Sequence, residues 1–538
     1  MRQRDSPTRR DSHISYLRQQ GRGGVLPAMV TMPPTACCCF VFLLPLLLVL
    51  VLGATTSCWS VAEARRNVIT HIKGFDGRLP FHLETGLAAW FVGCTDVFRY
   101  VQVDQEHGVR LFYYFIESER KPAEDPLILW ITGGPGCSAL SGLLFEIGPL
   151  RLDVAGYTEG FPQLFYFEDA WTKVSNVIFL DAPVGTGFSY ARDEAGYNVT
   201  LTGLGRRIHT FLHKWLAEHQ EFVSNPLYIG GDSYSGYTIP VTALDIAASN
   251  GGGDHVSRIN LKGYLVGNPG TDDRYEKGGK VPFMHGMGLI SEEMYEAVQQ
   301  GCGEDFYDMS GRSNPLCASA LEAIDMATSD VNPVHILEPF CGKALRERVP
   351  GVSIFQARSM LVRDKVEHPE FFTRKNLGLP VECRDNGYRL SYIWADDPEV
   401  RESLGIHNGS IGSWSRCNNL TRFTTDLDSV IPHHVILTKA GYRALVYRTS
   451  LILLRGSGDH DLDMTFVGTQ AWIRSLKYPI VNDWRPWHSN GQVAGFTRTY
   501  AYNLTYATVK GAGHTAPEYK PKECLDMLER WMSPAGQL

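Results

Sequence analysis

The chain has 538 residues, 44% hydrophobic and 20% charged, with a net charge of −7. That composition belongs to a soluble globular protein with ample material for a core, and the length allows one large domain with insertions or up to three ordinary ones. A mild negative charge without any basic-aromatic stripe argues against nucleic acid as a main partner.

Residues 1–64 read as a basic leader and signal peptide. Arg2, Arg4, Arg9, Arg10, Arg18 and Arg22 precede an apolar stretch from Ala36 to Ala54, broken only by Pro45. Ala62-Glu63-Ala64 is a small-x-small site suited to signal peptidase, and cleavage after about Ala64 is expected. The long apolar stretch also suits an uncleaved signal anchor, and a start at Met29 or Met32 would leave a signal poor in charge. No other segment is long and apolar enough to span a bilayer. A secretory route to the vacuole or the cell exterior follows.

In that oxidising setting Cys94, Cys137, Cys302, Cys317, Cys341, Cys383, Cys417 and Cys524 remain after the leader, and spacing alone pairs none of them. Without paired C-x-x-C units or H-E-x-x-H, no metal site and no cofactor is expected. Sequons at Asn198, Asn408, Asn419 and Asn503 mark candidate glycosylation sites at the surface.

Residues 65–270 read as the first part of an α/β core. Leu127–Ile131, Val177–Leu180, Leu227–Ile229 and Gly263–Val266 are continuous apolar runs, the pattern of strands covered on both faces. Between the second and third lies a helical stretch, Leu204 to Phe222, with Leu204, Ile208, Phe211, Leu212, Trp215 and Leu216 on one face. Such alternation predicts a central, mostly parallel sheet with helices on both faces and functional loops at the strand carboxyl ends.

The first such end is Gly133-Gly134-Pro135-Gly136, whose backbone N–H groups are unobstructed by side chains. Gly134 is the first candidate oxyanion donor. The next is Gly230-Gly231-Asp232-Ser233-Tyr234-Ser235-Gly236 between a strand and a helix. A serine flanked by small residues there is the sequence form of a nucleophile elbow. It differs slightly from G-x-S-x-G, since Ser235 stands where the second glycine is expected. Ser233 is the candidate nucleophile and the Tyr234 amide the second oxyanion donor.

From residue 271 to 380 core strands give way to Cys, Pro, Ser and short amphipathic pieces, read as an inserted, largely helical cap. Residues 381–538 form the second part of the core, with strands at Ala444–Tyr447 and Tyr506–Val509. Gly458-Asp459-His460-Asp461 supplies the acid, and Asp461 is preferred over Asp459 because it has room to curl back. His514, in Gly511-Ala512-Gly513-His514-Thr515, follows a strand and is the candidate general base. The chain order Ser, Asp, His is that of α/β-hydrolases.

Together, Gly133-Gly134-Pro135-Gly136-Cys137-Ser138, Gly231–Gly236, Gly458–Asp461 and Gly513-His514-Thr515-Ala516-Pro517 resemble the serine carboxypeptidase family, from about Gly74 to the C-terminus. The resemblance implies an α/β-hydrolase fold with a helical cap, a Ser233–Asp461–His514 triad, and disulfides Cys137–Cys417, Cys302–Cys317 and Cys341–Cys383. It gives Cys94 and Cys524 no partner. The family recognises a peptide carboxylate with an asparagine before the two glycines and a glutamate before the nucleophile. Here Thr132, beside Gly133, and Asp232 hold those substrate-binding places. One donor fewer and one methylene less weaken carboxylate capture. Gly185–Tyr190 and Trp484-Arg485-Pro486-Trp487 also resemble the plant acyltransferase branch, which uses 1-O-β-glucose esters. The expected partners are therefore an acyl-glucose donor and an alcohol or amine acceptor, with a peptide C-terminus as the alternative.

Two stretches depart from the family pattern, Leu87 to Arg99 and Arg448 to Gly456. The second is either an outward loop or a source of a replacement strand, Leu451–Leu454, that would displace Ala444–Tyr447. A displaced Asp461 would make the protein a catalytically impaired binding relative.

Overall fold

The computed structural model describes residues 65–88, 100–252, 258–340 apart from 309, 311 and 312, 384–450 apart from 419 and 421, and 460–538 apart from 534, 535 and 537. The leader, Cys94 and most of its insert, Cys341, Cys383, Asn419, Asp459 and residues 451–456 lie outside them.

An eleven-stranded sheet runs through the chain: β1 (Arg65–Ile69), β2 (Leu83–Ala88), β3 (Tyr113–Ile116), β4 (Leu127–Ile131), β5 (Asn176–Leu180), β6 (Leu227–Asp232), β7 (Leu261–Gly267), β8 (Arg443–Ser450), β9 (Ile480–Ser489), β10 (Gln492–Tyr500) and β11 (Leu504–Lys510). Their spatial order is β1-β2-β3-β5-β4-β6-β7-β8-β11-β10-β9. From β5 to β11 neighbours pair in parallel, and the strands outside that block pair antiparallel.

Strand periodicity explains why the parallel block reads as unbroken apolar runs. Ile128 and Trp130 of β4 enter one hydrophobic core, while Leu127, Leu129 and Ile131 enter the other on the opposite face. Successive side chains alternate sides, and helices cover both. One of them, α1 (Leu201–Glu218), buries Leu204, Ile208, Phe211, Leu212 and Trp215. Each such side chain contributes roughly 1.5–3 kcal/mol through removal from water. The helix begins a turn earlier than its apolar stripe suggests, because the Thr200 side chain caps the Gly203 N–H. It ends at Glu218, before a 3-10 turn at Gln220–Phe222.

Helix α2 (Ser235–Asn250) follows β6 directly. After β7 come α3 (Asp273–Gly286), α4 (Glu292–Cys302) and α5 (Pro315–Ala327), with side-chain caps from Asp272, Ser291 and Asn314. Val281, Phe283 and Met284 of α3 share a small core with Val298, Ile324 and Leu462, and the Cys302–Cys317 disulfide ties α4 to α5. Beyond them come α6 (Asp385–Asp396), α7 (Phe466–Ser475) and α8 (Pro521–Met532).

Ala444–Tyr447 is not displaced: it pairs with β7 on one side and β11 on the other. The strand runs on through Arg448, Thr449 and Ser450, opposite Thr508, Val509 and Lys510. The start of the second departure is thus sheet rather than loop. Similarly, Leu87 and Ala88 extend β2 along β1.

Candidate active site

Strand β6 delivers Ser233 and helix α2 leads away from it. Between them Ser233 adopts a left-handed backbone, φ 55°, a conformation uncommon for any residue with a side chain. Hydrogen bonds hold that turn. The Ser233 N–H donates to Gly267 O at 2.9 Å, while its carbonyl accepts from Gly236 and Gly270 at 3.0 and 2.9 Å. Ser235, where the glycine was expected, donates its hydroxyl to Ile131 O at 2.7 Å and locks the elbow to β4.

Facing the serine is His514, from the loop after β11. Its Nε2 lies 2.8 Å from Ser233 Oγ and its Nδ1 lies 3.0 Å from Asp461 Oδ2. An ionised carboxylate only accepts, so Nδ1 carries the proton, and in the neutral ring Nε2 is left to accept from the serine hydroxyl. Burial disfavours a charged ring, yet Asp461 outweighs it and His514 is pushed up to about 9. Burial likewise opposes charge on Asp461, but His514, Arg448 and the Asn268 amide prevail and hold it below the ordinary aspartate range. Its other oxygen, Oδ1, accepts the N–H groups of Asp463 and Met464, both at 3.0 Å.

The Gly133–Gly136 loop lies against this elbow. A Cβ on Gly133 would sit 2.6 Å from Asp232 O and 2.8 Å from Tyr234 N, so only glycine permits the approach. Gly134 has φ +116°. Among the described residues the amides of Gly134 and Tyr234 have no hydrogen-bond acceptor. Two unspent donors beside a serine hydroxyl are what an oxyanion hole requires. A disulfide, Cys137–Cys417, anchors the loop, flanked by Ser138 N–H to Arg416 O at 2.7 Å and Asn418 N–H to Gly136 O at 2.9 Å. Three donors reach one buried carboxylate, Asp181: the Ser138 hydroxyl and the amides of Ala139 and Phe188, at 2.7, 2.8 and 2.9 Å.

A sequence model of the serine carboxypeptidases matches residues 92–534. The chain belongs to the serine carboxypeptidase family. Two relatives from Arabidopsis thaliana are serine carboxypeptidase-like 2, 42% identical over 467 residues, and serine carboxypeptidase-like 1, 43% identical over 467 residues. Each match covers 87% of this chain and 92% of that protein. The crystal structure of Kex1(delta)p, a prohormone-processing carboxypeptidase from Saccharomyces cerevisiae, has a TM-score of 0.64 at 18% identity and covers 85% of this chain and 93% of that one. That likeness shows the shared α/β-hydrolase fold.

Against this serine carboxypeptidase framework the two substituted positions have definite surroundings. Thr132 is buried, and its hydroxyl has no partner among the described residues. Asp232 is buried too. Its Oδ1 accepts the Gly133 N–H at 3.1 Å, while Oδ2 has no partner among the described residues. Burial pushes its carboxyl up to about 6. Sequence reasoning missed a second carboxyl there, Glu146, whose Oε2 accepts from the Trp130 indole at 2.9 Å. Burial, then Asp232, raises it well above the usual carboxylate range. A lone acid inside the apolar run Leu143–Ile147 was its only signal. Asn268 was missed as well; it directly follows β7, and its amide donates to Asp461 at 2.7 Å.

Cys137–Cys417 and Cys302–Cys317 are bonded as the family resemblance implied, and Cys524 is a free, buried thiol. Asn198, Asn408 and Asn503 are exposed. Among the described residues no group of three or more His, Cys, Asp or Glu suits a metal, and no helix is long and apolar enough to cross a membrane.

Proposed function

We propose that Ser233, Asp461 and His514 act as a catalytic triad that transfers an acyl group from a 1-O-β-glucose ester to an alcohol or amine. Ser233 attacks the ester carbonyl as His514 takes its proton. The Gly134 and Tyr234 amides receive the developing oxyanion, and His514 returns the proton to the departing glucose. The acceptor then attacks the acyl-serine through the same base. Asp461 holds the ring in the required tautomer and stabilises the imidazolium.

The observation carrying this reading is the pair Thr132 and Asp232. A single hydroxyl and a short carboxylate already bound to Gly133 form a poor cradle for a peptide carboxylate. The test supplies a sinapoyl-type glucose ester with acceptor, and separately a blocked dipeptide. Ester-dependent acylation of Ser233 supports transfer; rapid release of a C-terminal amino acid with no use of the ester overturns it.

Carboxypeptidase action is the second reading, favoured by the raised Asp232. A carboxyl kept protonated to about pH 6 would donate to a substrate carboxylate. An impaired binding relative is disfavoured by the 3.0 Å Asp461–His514 contact. Passage through the secretory pathway, to the vacuole or outside, belongs to the same proposal, with glycans on the exposed sequons.

A further inference from the structure

One short segment after α5 touches both loops that carry the acid and the base. The Pro333 carbonyl accepts the N–H groups of Leu462 and Asp463 at 2.9 and 3.0 Å, and the Ile336 N–H donates to His460 O at 2.8 Å. Asp461 therefore has its main-chain neighbours on both sides tied to this segment. Between those bonds, the Val334 carbonyl accepts the His514 N–H at 2.8 Å. The approach is close: a Cβ on Gly513 would lie 2.7 Å from Val334 O and 2.8 Å from His335 Cδ2.

The side chain of His335 fastens the segment. Its Nδ1 accepts the Leu337 N–H at 3.3 Å, which leaves Nε2–H to donate to His460 Nδ1 at 3.2 Å. The ring stacks on Tyr519, centroids 5.0 Å apart, and is buried. Burial, then His460, pushes it down to about 4, so it stays neutral and keeps both bonds. At the outer turn, Asn332 accepts the Val334 N–H and donates to Pro339 O, both at 3.2 Å. Further along, Glu338 pairs with Arg384 at 2.9 Å, linking the segment to the start of α6.

We propose that the Pro333–Ile336 segment sets the separation of Asp461 from His514, with His335 as its positioning residue. The inference rests on the triad reading above and deepens it. The acid and base loops follow different strands, and this segment gives them a common main-chain reference. A change of about 1 Å in such an alignment is enough to cost on the order of a hundredfold in rate.

The experiment measures covalent labelling of Ser233 by a fluorophosphonate across pH, per folded molecule, in the full chain. Wild type should label and Ser233→Ala should not; failure of that pair sinks the triad reading itself. Given that, His335→Ala should slow labelling about tenfold. Its pH midpoint should move lower, because a loosened Asp461 no longer raises His514 as far. His335→Asn, which keeps one acceptor and one donor, should recover part of both effects. Asn332→Ala, a milder change at the outer turn, should shift rate and midpoint in the same direction by a smaller amount. It decides the matter if His335→Ala does not fold. Wild-type rates and midpoints in the folded variants, whatever their melting temperatures, would overturn the proposal.

Discussion

Asn268 donates its amide to Asp461 at 2.7 Å, on the same carboxylate oxygen that faces His514. Asp461 is thus aimed from a strand other than its own, since Asn268 directly follows β7. Asn268 also has φ 41°, in the left-handed region. Replacement by glycine preserves that backbone and deletes only the amide. A hydrogen bond to a charged group contributes about 1.5–3 kcal/mol. Asn268→Gly should therefore slow acylation of Ser233 by roughly ten- to a hundredfold, measured by fluorophosphonate labelling. An unchanged rate would remove Asn268 from the site.

Asp461→Asn tests the acid more directly. The carboxylate is the main group raising His514 to about 9. The raised pKa means that the His–Asp pair stabilises the fold fully below the ordinary histidine range and loses that contribution as pH rises through about 9. As a base His514 must be unprotonated, so wild-type labelling should climb with pH toward that value. The Asp461→Asn variant should have a lower midpoint and a plateau reduced by about 10⁴. Equal midpoints in the two proteins would contradict the assignment.

How far the sequence reveals this arrangement depends on the strand. All six runs read as continuous apolar strands lie in the parallel block, because burial on both faces leaves an unmistakable signature. The outer strands do not. β9 is largely exposed and contains Pro486, so its pattern is neither apolar nor cleanly alternating. Ser233 and His514 were legible because tight strand-end loops demand small neighbours. Asn268 and the Pro333–Ile336 segment were not, because their roles arise from contacts between distant loops, which leave no local pattern in the chain. Arg448 gave no signal either; it is buried in β8, where the sheet continues past the expected strand end.

Asp232 gives a prediction about stability. Its carboxyl sits at about 6 in the fold against an ordinary value of 3.8. A raised carboxyl keeps its proton in the folded state, so the fold loses stability as pH rises between those values and stays lower above them. Asp232→Asn removes the titration. Relative to wild type it should melt higher at neutral pH, with the advantage disappearing below about pH 4, as thermal unfolding across pH will read. A pH-independent difference would locate the destabilising charge elsewhere, Glu146 being the neighbour with the same burden.

The two described disulfides should separate stability from catalysis. Cys302–Cys317 closes 15 residues and joins α4 to α5, whereas Cys137–Cys417 spans 280 residues and anchors the loop bearing Gly134. In the loop-entropy account the short closure contributes about 3 kcal/mol and the long one more than about 4. Both serine double variants should therefore unfold more readily. The Cys137/Cys417 pair alone should also slow labelling of Ser233, because residues 416–418 hold the Gly133–Gly136 loop, the proposed source of an oxyanion donor, through that bond and two main-chain hydrogen bonds. Losing alignment of one donor costs on the order of 10² in rate. Reduced rates in the folded Cys302/Cys317 variant, or wild-type rates in the other, would show that the covalent anchor does not position Gly134.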